Sequence, residues 1–225
     1  MAHGQLAAAA FGAACGLVVS PYLAGLTLTV PDRDNPRWWV PTRTRPGRLA
    51  ATAGSAVVLG FLAGYGVGWS VLLPLWLGLA VVCAPLVITD FEHHRLPDRL
   101  VVIAALVMVV LLVVASLDGG HWWALLRAGE AAAVIFVIFF ALALFAPFGL
   151  GDVKLGAVLA AALGWFSWGY LIYGMLAGFV LASIVSLPLV LVRRASMKSA
   201  IPLGPALIAG AFVVVAFELV PSYLR

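Results

Sequence analysis

Eight apolar stretches fill almost the whole chain, at about 6–28, 49–67, 70–90, 99–117, 123–146, 153–168, 170–192 and 201–220, and polar residues gather in the short breaks between them. A bilayer core roughly 30 Å thick takes about 20 helical residues to cross, and most of these stretches approach that length. Lipid offers the backbone no hydrogen-bond partners, so such segments satisfy their own peptide groups as helices. The pattern predicts an all-α polytopic transmembrane bundle of about eight spans. The second and third spans meet at Gly66-Val67-Gly68-Trp69. The sixth is short and ends in Gly164-Trp165-Phe166-Ser167-Trp168-Gly169, the boundary least sharply marked; a seven-span reading would fuse or drop it.

Composition agrees with lipid as the main solvent. The 225 residues are 64% hydrophobic and 10% charged, and a water-soluble domain could not hide that much apolar surface. The net charge of +4 would hint at nucleic acid on a soluble domain; here it fits basic cytoplasmic loops, and no nucleic-acid partner is expected. Met1 to Gln5 carry no Lys or Arg, so residues 6–30 read as a retained first span with the N-terminus outside. The inner loops, near 29–48, 91–98, 147–152 and 193–200, then hold with their flanks Arg33, Arg37, Arg43, Arg45, Arg48, Arg95, Arg99, Lys154, Arg193, Arg194 and Lys198. Of the 13 basic residues only Arg127 and Arg225 fall outside, as the positive-inside rule requires. Residues 1–225 read as one integral membrane domain whose longest polar loop, 29–48, is short, basic and cytoplasmic, with Trp38 and Trp39 at the interface. Cys15 and Cys83 lie in apolar runs without metal or disulfide spacing and read as inert thiols.

Acidic residues change the picture from architecture to chemistry. Asp90 ends the third span, and Asp152 precedes the sixth, on the same inner side. Ionisable groups at the edge of a hydrophobic span are costly and point to a pathway or a reaction. Either acid alone would read as a helix cap or a solvated end. Packing of the third and sixth helices would bring both to one water molecule. Two carboxylates sharing a site cannot both ionise easily. The ionised member can then take a proton from water while the protonated member polarises a scissile carbonyl. Gly149 and Gly151 would let backbone approach backbone, as an extended peptide needs, and Pro147 would end the preceding helix.

The strings around the two acids carry a resemblance. Gly149-Leu150-Gly151-Asp152-Val153-Lys154 resembles the glycine, any, glycine, aspartate, any, lysine pattern of the type IV prepilin peptidases, membrane-embedded aspartic proteases of the GxGD kind. Asp90 followed by Leu96-Pro97-Asp98 is similar to their first motif, and Ile201-Pro202-Leu203-Gly204-Pro205-Ala206-Leu207 to their Pro-Phe-Gly-Pro segment, with Leu203 in place of the aromatic. The likeness spans roughly 69–215. It implies catalytic roles for Asp90 and Asp152, no cofactor and no metal, and an active site facing the cytoplasm from the inner membrane. It also implies prepilin or pseudopilin substrates, whose short basic leader is cut from the hydrophobic helix that follows. Larger members of that family carry a cytoplasmic domain with paired cysteines between the first two helices and also methylate the new N-terminus. Residues 31–48 stand in that place here without cysteine. A zinc site of that type is excluded, and the departure counts against N-methyltransferase activity.

Supporting residues follow from position. Lys154 either biases Asp152 toward ionisation, binds a substrate carbonyl or anchors its helix at the interface. Glu92 and Asp98, with Pro97 between the acids, make the first loop suited to attract a basic leader. His93 and His94 point in different directions on a helix and read as a surface pair. Arg127 and Glu130, at i and i+3, suggest a local ion pair. A proton-coupled transporter would use paired acids as a relay and would show spans broken near mid-membrane. A metal-dependent protease built on Asp90, His93, His94 and Asp152, and a non-catalytic assembly partner, are the other rivals.

Overall fold

Each apolar stretch forms one helix. In chain order these are α1 (Ala2–Thr29), α2 (Pro46–Val67), α3 (Leu73–His93), α4 (Asp98–Gly119), α5 (Trp122–Phe145), α6 (Leu150–Gly164), α7 (Trp168–Leu191) and α8 (Gly204–Ala216). The computed structural model describes residues 2–31, 36–93, 96–145, 149–191 and 203–220, and no strand occurs among them. The sixth stretch is a helix in its own right, set off from α7 by Trp165–Ser167, so it is not fused with its neighbour as the seven-span reading allowed. Arg33, His94, Arg95, Pro147, Arg193, Arg194, Lys198, Ile201, Pro202 and Arg225 lie outside the described residues.

Helices α1 to α5 and α7 are long and apolar enough to cross a membrane. Helix α6 has 15 residues and α8 has 13, which at 1.5 Å per residue gives lengths of about 22 Å and about 20 Å, short of a full crossing. The chain is a polytopic helical membrane bundle.

The helix ends follow local chemistry. Pro46 occupies the first turn of α2, where its missing N–H costs nothing. Gly68 ends α2 at φ 57°, a conformation that favours glycine and lets the chain turn into α3. Helix α1 packs along α2, α5 along α6 and α7 along α8, while α3 touches α1, α2, α4 and α8. Helix α3 is the most enclosed of the long helices. Its fully buried Trp76 meets Phe212 of α8 edge-on, with ring centroids 5.0 Å apart. Asp90 therefore rides on the central helix of the bundle.

Both ends of the bundle are tied by cationic side chains. At the end carrying the α3 C-terminus, Arg48 Nη1 reaches Glu92 Oε2 at 2.8 Å and donates to Thr27 Oγ1 at 3.0 Å, joining α1, α2 and α3. The described part of the 29–48 loop folds back on the same end. Thr29 Oγ1 donates to the Trp38 carbonyl at 2.6 Å, Tyr22 Oη donates to the Trp39 carbonyl at 2.9 Å, and Arg99 lies 5.6 Å from the Trp38 ring centroid. At the opposite end, Arg127 Nε donates to the Gly164 carbonyl at 2.7 Å and Nη2 donates to the carbonyls of Phe166, at 2.8 Å, and Trp165. The expected Arg127–Glu130 ion pair gives way to this bond set. The last carbonyls of a helix lack intrahelical donors, and a guanidinium satisfies several of them at once.

Candidate active site

Three helix termini converge on the end of the bundle tied by Arg48. Helix α3 brings Asp90, three residues before its own end. Helix α6 brings Asp152 in its first turn, because the helix starts at Leu150 and not after the acid, as the hydropathy pattern suggested. Helix α8 brings Gly204 as its first residue.

Asp90 is 4% exposed, and Asp152 is partly buried. The two carboxylates are close enough for their charges to repel. Asp152 Oδ1 is buried and accepts no hydrogen bond from the described residues. The Asp152 carboxylate turns back to take a hydrogen bond from the Gly149 backbone N–H. This is the reach of an acid in the third helical position to the residue that caps the helix. It fixes the side chain against its own helix start.

The glycines are explained by what surrounds them. A Cβ on Gly149 would lie 2.9 Å from Asp152 Oδ2. A Cβ on Gly151 would lie 2.8 Å from Leu96 Cβ. A Cβ on Gly204 would lie 3.0 Å from Asp90 Oδ2 and 3.2 Å from both Leu96 methyl carbons. Gly149 and Gly151 thus make room for an aspartate and a leucine, where the sequence suggested an approach of backbones. Leu96 is the shared neighbour: one side meets the start of α6 and the other the start of α8. Nothing in composition marks Leu96 or Gly204 as part of the site; their only signal is membership in the Leu-Pro-Asp and Gly-Pro strings.

The supporting residues are also placed. Pro97 caps α4, and its carbonyl accepts the first backbone bonds of that helix from Leu100 and Val101. Asp98 follows in the first turn of α4, and Lys154 Nζ meets its Oδ1 at 2.6 Å. That exposed pair links α4 to α6 beside Asp152. Glu92 is held by Arg48, and half-exposed His93 lies 4.0 Å from the same Glu92 oxygen. Among the described residues no three His, Cys, Asp or Glu side chains gather as a metal site would require. A cavity of about 800 Å³ opens at this end, lined by Val30, Pro31, His93 and the run from Leu96 to Arg99.

Two acids whose charges repel stand at the rim of an apolar bundle, and Leu96, the neighbour of Gly151 and Gly204, also lines the cavity at this end. The chain matches the family model described as the type IV leader peptidase family over residues 77–191, a segment that contains Asp90, Leu96 and Asp152. No curated protein and no solved structure matches it. A match of that extent over both acids makes the chain a member of the type IV leader peptidase family.

Proposed function

We propose that this protein is a membrane-embedded aspartic endopeptidase that removes the short basic leader from prepilin or pseudopilin precursors at the cytoplasmic face of the inner membrane. The observation that carries the reading is the meeting of Asp90, from the central helix, with Asp152, from the start of α6, at one end of the bundle. Membership in a leader peptidase family supports the substrate class.

In this reading the two acids act as a pair with one proton. The ionised carboxylate takes a proton from the attacking water as its oxygen adds to the scissile carbonyl. The protonated carboxylate donates to the carbonyl oxygen and stabilises the tetrahedral intermediate. The proton gained from water then passes to the leaving amine. Gly149 orients Asp152 through its N–H, and Leu96 holds α6 and α8 at the spacing the pair needs. No metal or organic cofactor takes part. Glu92 and Asp98 receive the basic residues of the leader by exchanging their internal partners, Arg48 and Lys154. The Lys154–Asp98 pair is half-exposed, and such pairs are worth only about 0–1 kcal/mol, so exchange is inexpensive. The site faces the cytoplasm in this reading because the sequence concentrates Lys and Arg in the loops assigned to that side. A transporter would need spans broken near mid-membrane, whereas α3 runs without a break from Leu73 to His93.

The reading is tested by placing the protein in membranes with a prepilin-type precursor and following the loss of mass on leader removal. Cleavage at the junction between leader and apolar helix is expected. An intact precursor at all enzyme levels, with the protein correctly inserted, would exclude it.

A further inference from the structure

A second cavity, of about 340 Å³, lies on the flank of the bundle between α2 and α3 on one side and α7 and α8 on the other. Its lining includes Val58, Val87, Phe91, Ala182, Val185 and Ala209, and Ser55 is the only polar side chain among the described lining residues. The Ser55 hydroxyl is already used, donating to the Thr52 carbonyl at 2.9 Å and lying 3.4 Å from that of Ala84. No described lining residue asks for a polar ligand.

Its position is what gives it meaning. Phe91 directly follows Asp90, and Val87 lies one turn earlier on the same face of α3. Pro205 and Ala206, which also line the groove, directly follow Gly204, whose Cα lies beside Asp90 Oδ2. The groove therefore begins beside Asp90 and runs along the apolar flank. Leu96, which touches the positions of Gly151 and Gly204, also lines the larger cavity at the helix ends. A cavity with the charged residues Asp98 and Arg99 in its lining and an apolar groove thus both lie at the end of the bundle that carries the acids.

We propose that this groove is the docking site for the hydrophobic helix of the substrate, holding its first turns so that the bond preceding them falls at Asp90 and Asp152. The proposal rests on the leader peptidase reading and adds where the uncleaved part of the substrate binds. A precursor made of a polar leader followed by an apolar helix pairs the same two polarities as cavity and groove. In lipid the hydrophobic effect supplies no drive between helices, so association depends on close packing, which small residues allow. Ala182, Ala206 and Ala209 present that kind of surface. The groove admits a few apolar side chains and leaves the rest of the substrate helix in lipid. Helix α8, at 13 residues, is too short to wall off the far part of the membrane from that helix.

The test fills the groove without touching the acids. Ala209→Trp and Ala182→Trp are expected to raise KM for a full precursor at least about tenfold while kcat stays within about twofold of native. Unchanged KM, or a loss confined to kcat, would overturn the proposal. A second measurement is independent of how well those variants fold: a photoreactive phenylalanine at Val185, in an Asp152→Asn background that keeps the substrate intact. A crosslink to the apolar helix of the precursor supports the proposal; crosslinks to phospholipid alone sink it. If the native protein cleaves no precursor, the peptidase reading fails by itself, and the crosslink still reports on the groove.

Discussion

Gly151→Ala probes the geometry of the acidic pair more sharply than removal of either acid. The added Cβ would sit 2.8 Å from Leu96 Cβ. Carbon atoms in ordinary contact stand about 3.5–4.0 Å apart, so roughly 1 Å must open between the start of α6 and Leu96. A change of rotamer cannot provide it, because the clashing atom of Leu96 is bonded to the backbone. Movement has to come from the first turn of α6, which carries Asp152, or from the segment after α3, which follows Asp90. A misplacement of about 1 Å in a reacting group costs on the order of 10²-fold in rate. Helix propensity works the other way, since alanine in a helix is favoured over glycine by about 1 kcal/mol. The expected signature is thus a loss of leader removal of about two orders of magnitude in a protein whose thermal midpoint falls little. Gly129→Ala on α5, where an added Cβ meets nothing within 4 Å, serves as the control and should cleave normally. Initial rates of precursor cleavage in membranes, read beside thermal unfolding in detergent, check both halves. Gly151→Ala cleaving within about twofold of native would refute the claim that Leu96 sets the spacing of the pair.

Two further outcomes follow from the ties at the ends of the bundle. Arg127→Met strips three carbonyls of a charged donor; at roughly 1.5–3 kcal/mol for a bond to a charged group, it should lower the thermal midpoint clearly, whereas Glu130→Gln should not, and equal effects would restore the Arg127–Glu130 pair. If Asp98 receives the leader, Asp98→Asn should raise KM for a precursor with a basic leader while Lys154→Met leaves it unchanged or lowers it. Both should alter stability by no more than about 1 kcal/mol, and a KM that moves the same way in both variants would argue for a purely structural pair.

The fold was largely legible because hydropathy reports directly on which solvent a segment meets. All eight stretches became helices, with boundaries displaced by a few residues where polar side chains belong to a helix end. Asp152 is one such case: it looked like the last residue of a loop and is the third residue of α6. The shared placement of Asp90 and Asp152 at span ends was legible, but the expected packing of the third helix on the sixth is not what places them: among the described residues α3 and α6 both pack on α4 and α8. Side-chain partnerships were not foreseeable, since each joins residues far apart in sequence. Arg48 finds Glu92 and Lys154 finds Asp98 across helices, and Arg127 spends its donors on carbonyls 37 to 39 residues away, not on Glu130. The purpose of the glycines was hidden for the same reason. A Gly-x-Gly-Asp string says that space is needed, and only the folded chain shows that Leu96 and the Asp152 carboxylate occupy it.

The most direct test of the acidic pair is the rate of leader removal by Asp90→Asn and by Asp152→Asn, each inserted in membranes at native levels with one prepilin-type precursor. A working pair predicts no detectable cleavage by either protein, because asparagine matches the shape of aspartate but can neither accept the proton of water nor share one with its neighbour. Normal cleavage by either variant would contradict the pairing of Asp90 and Asp152 as the catalytic centre.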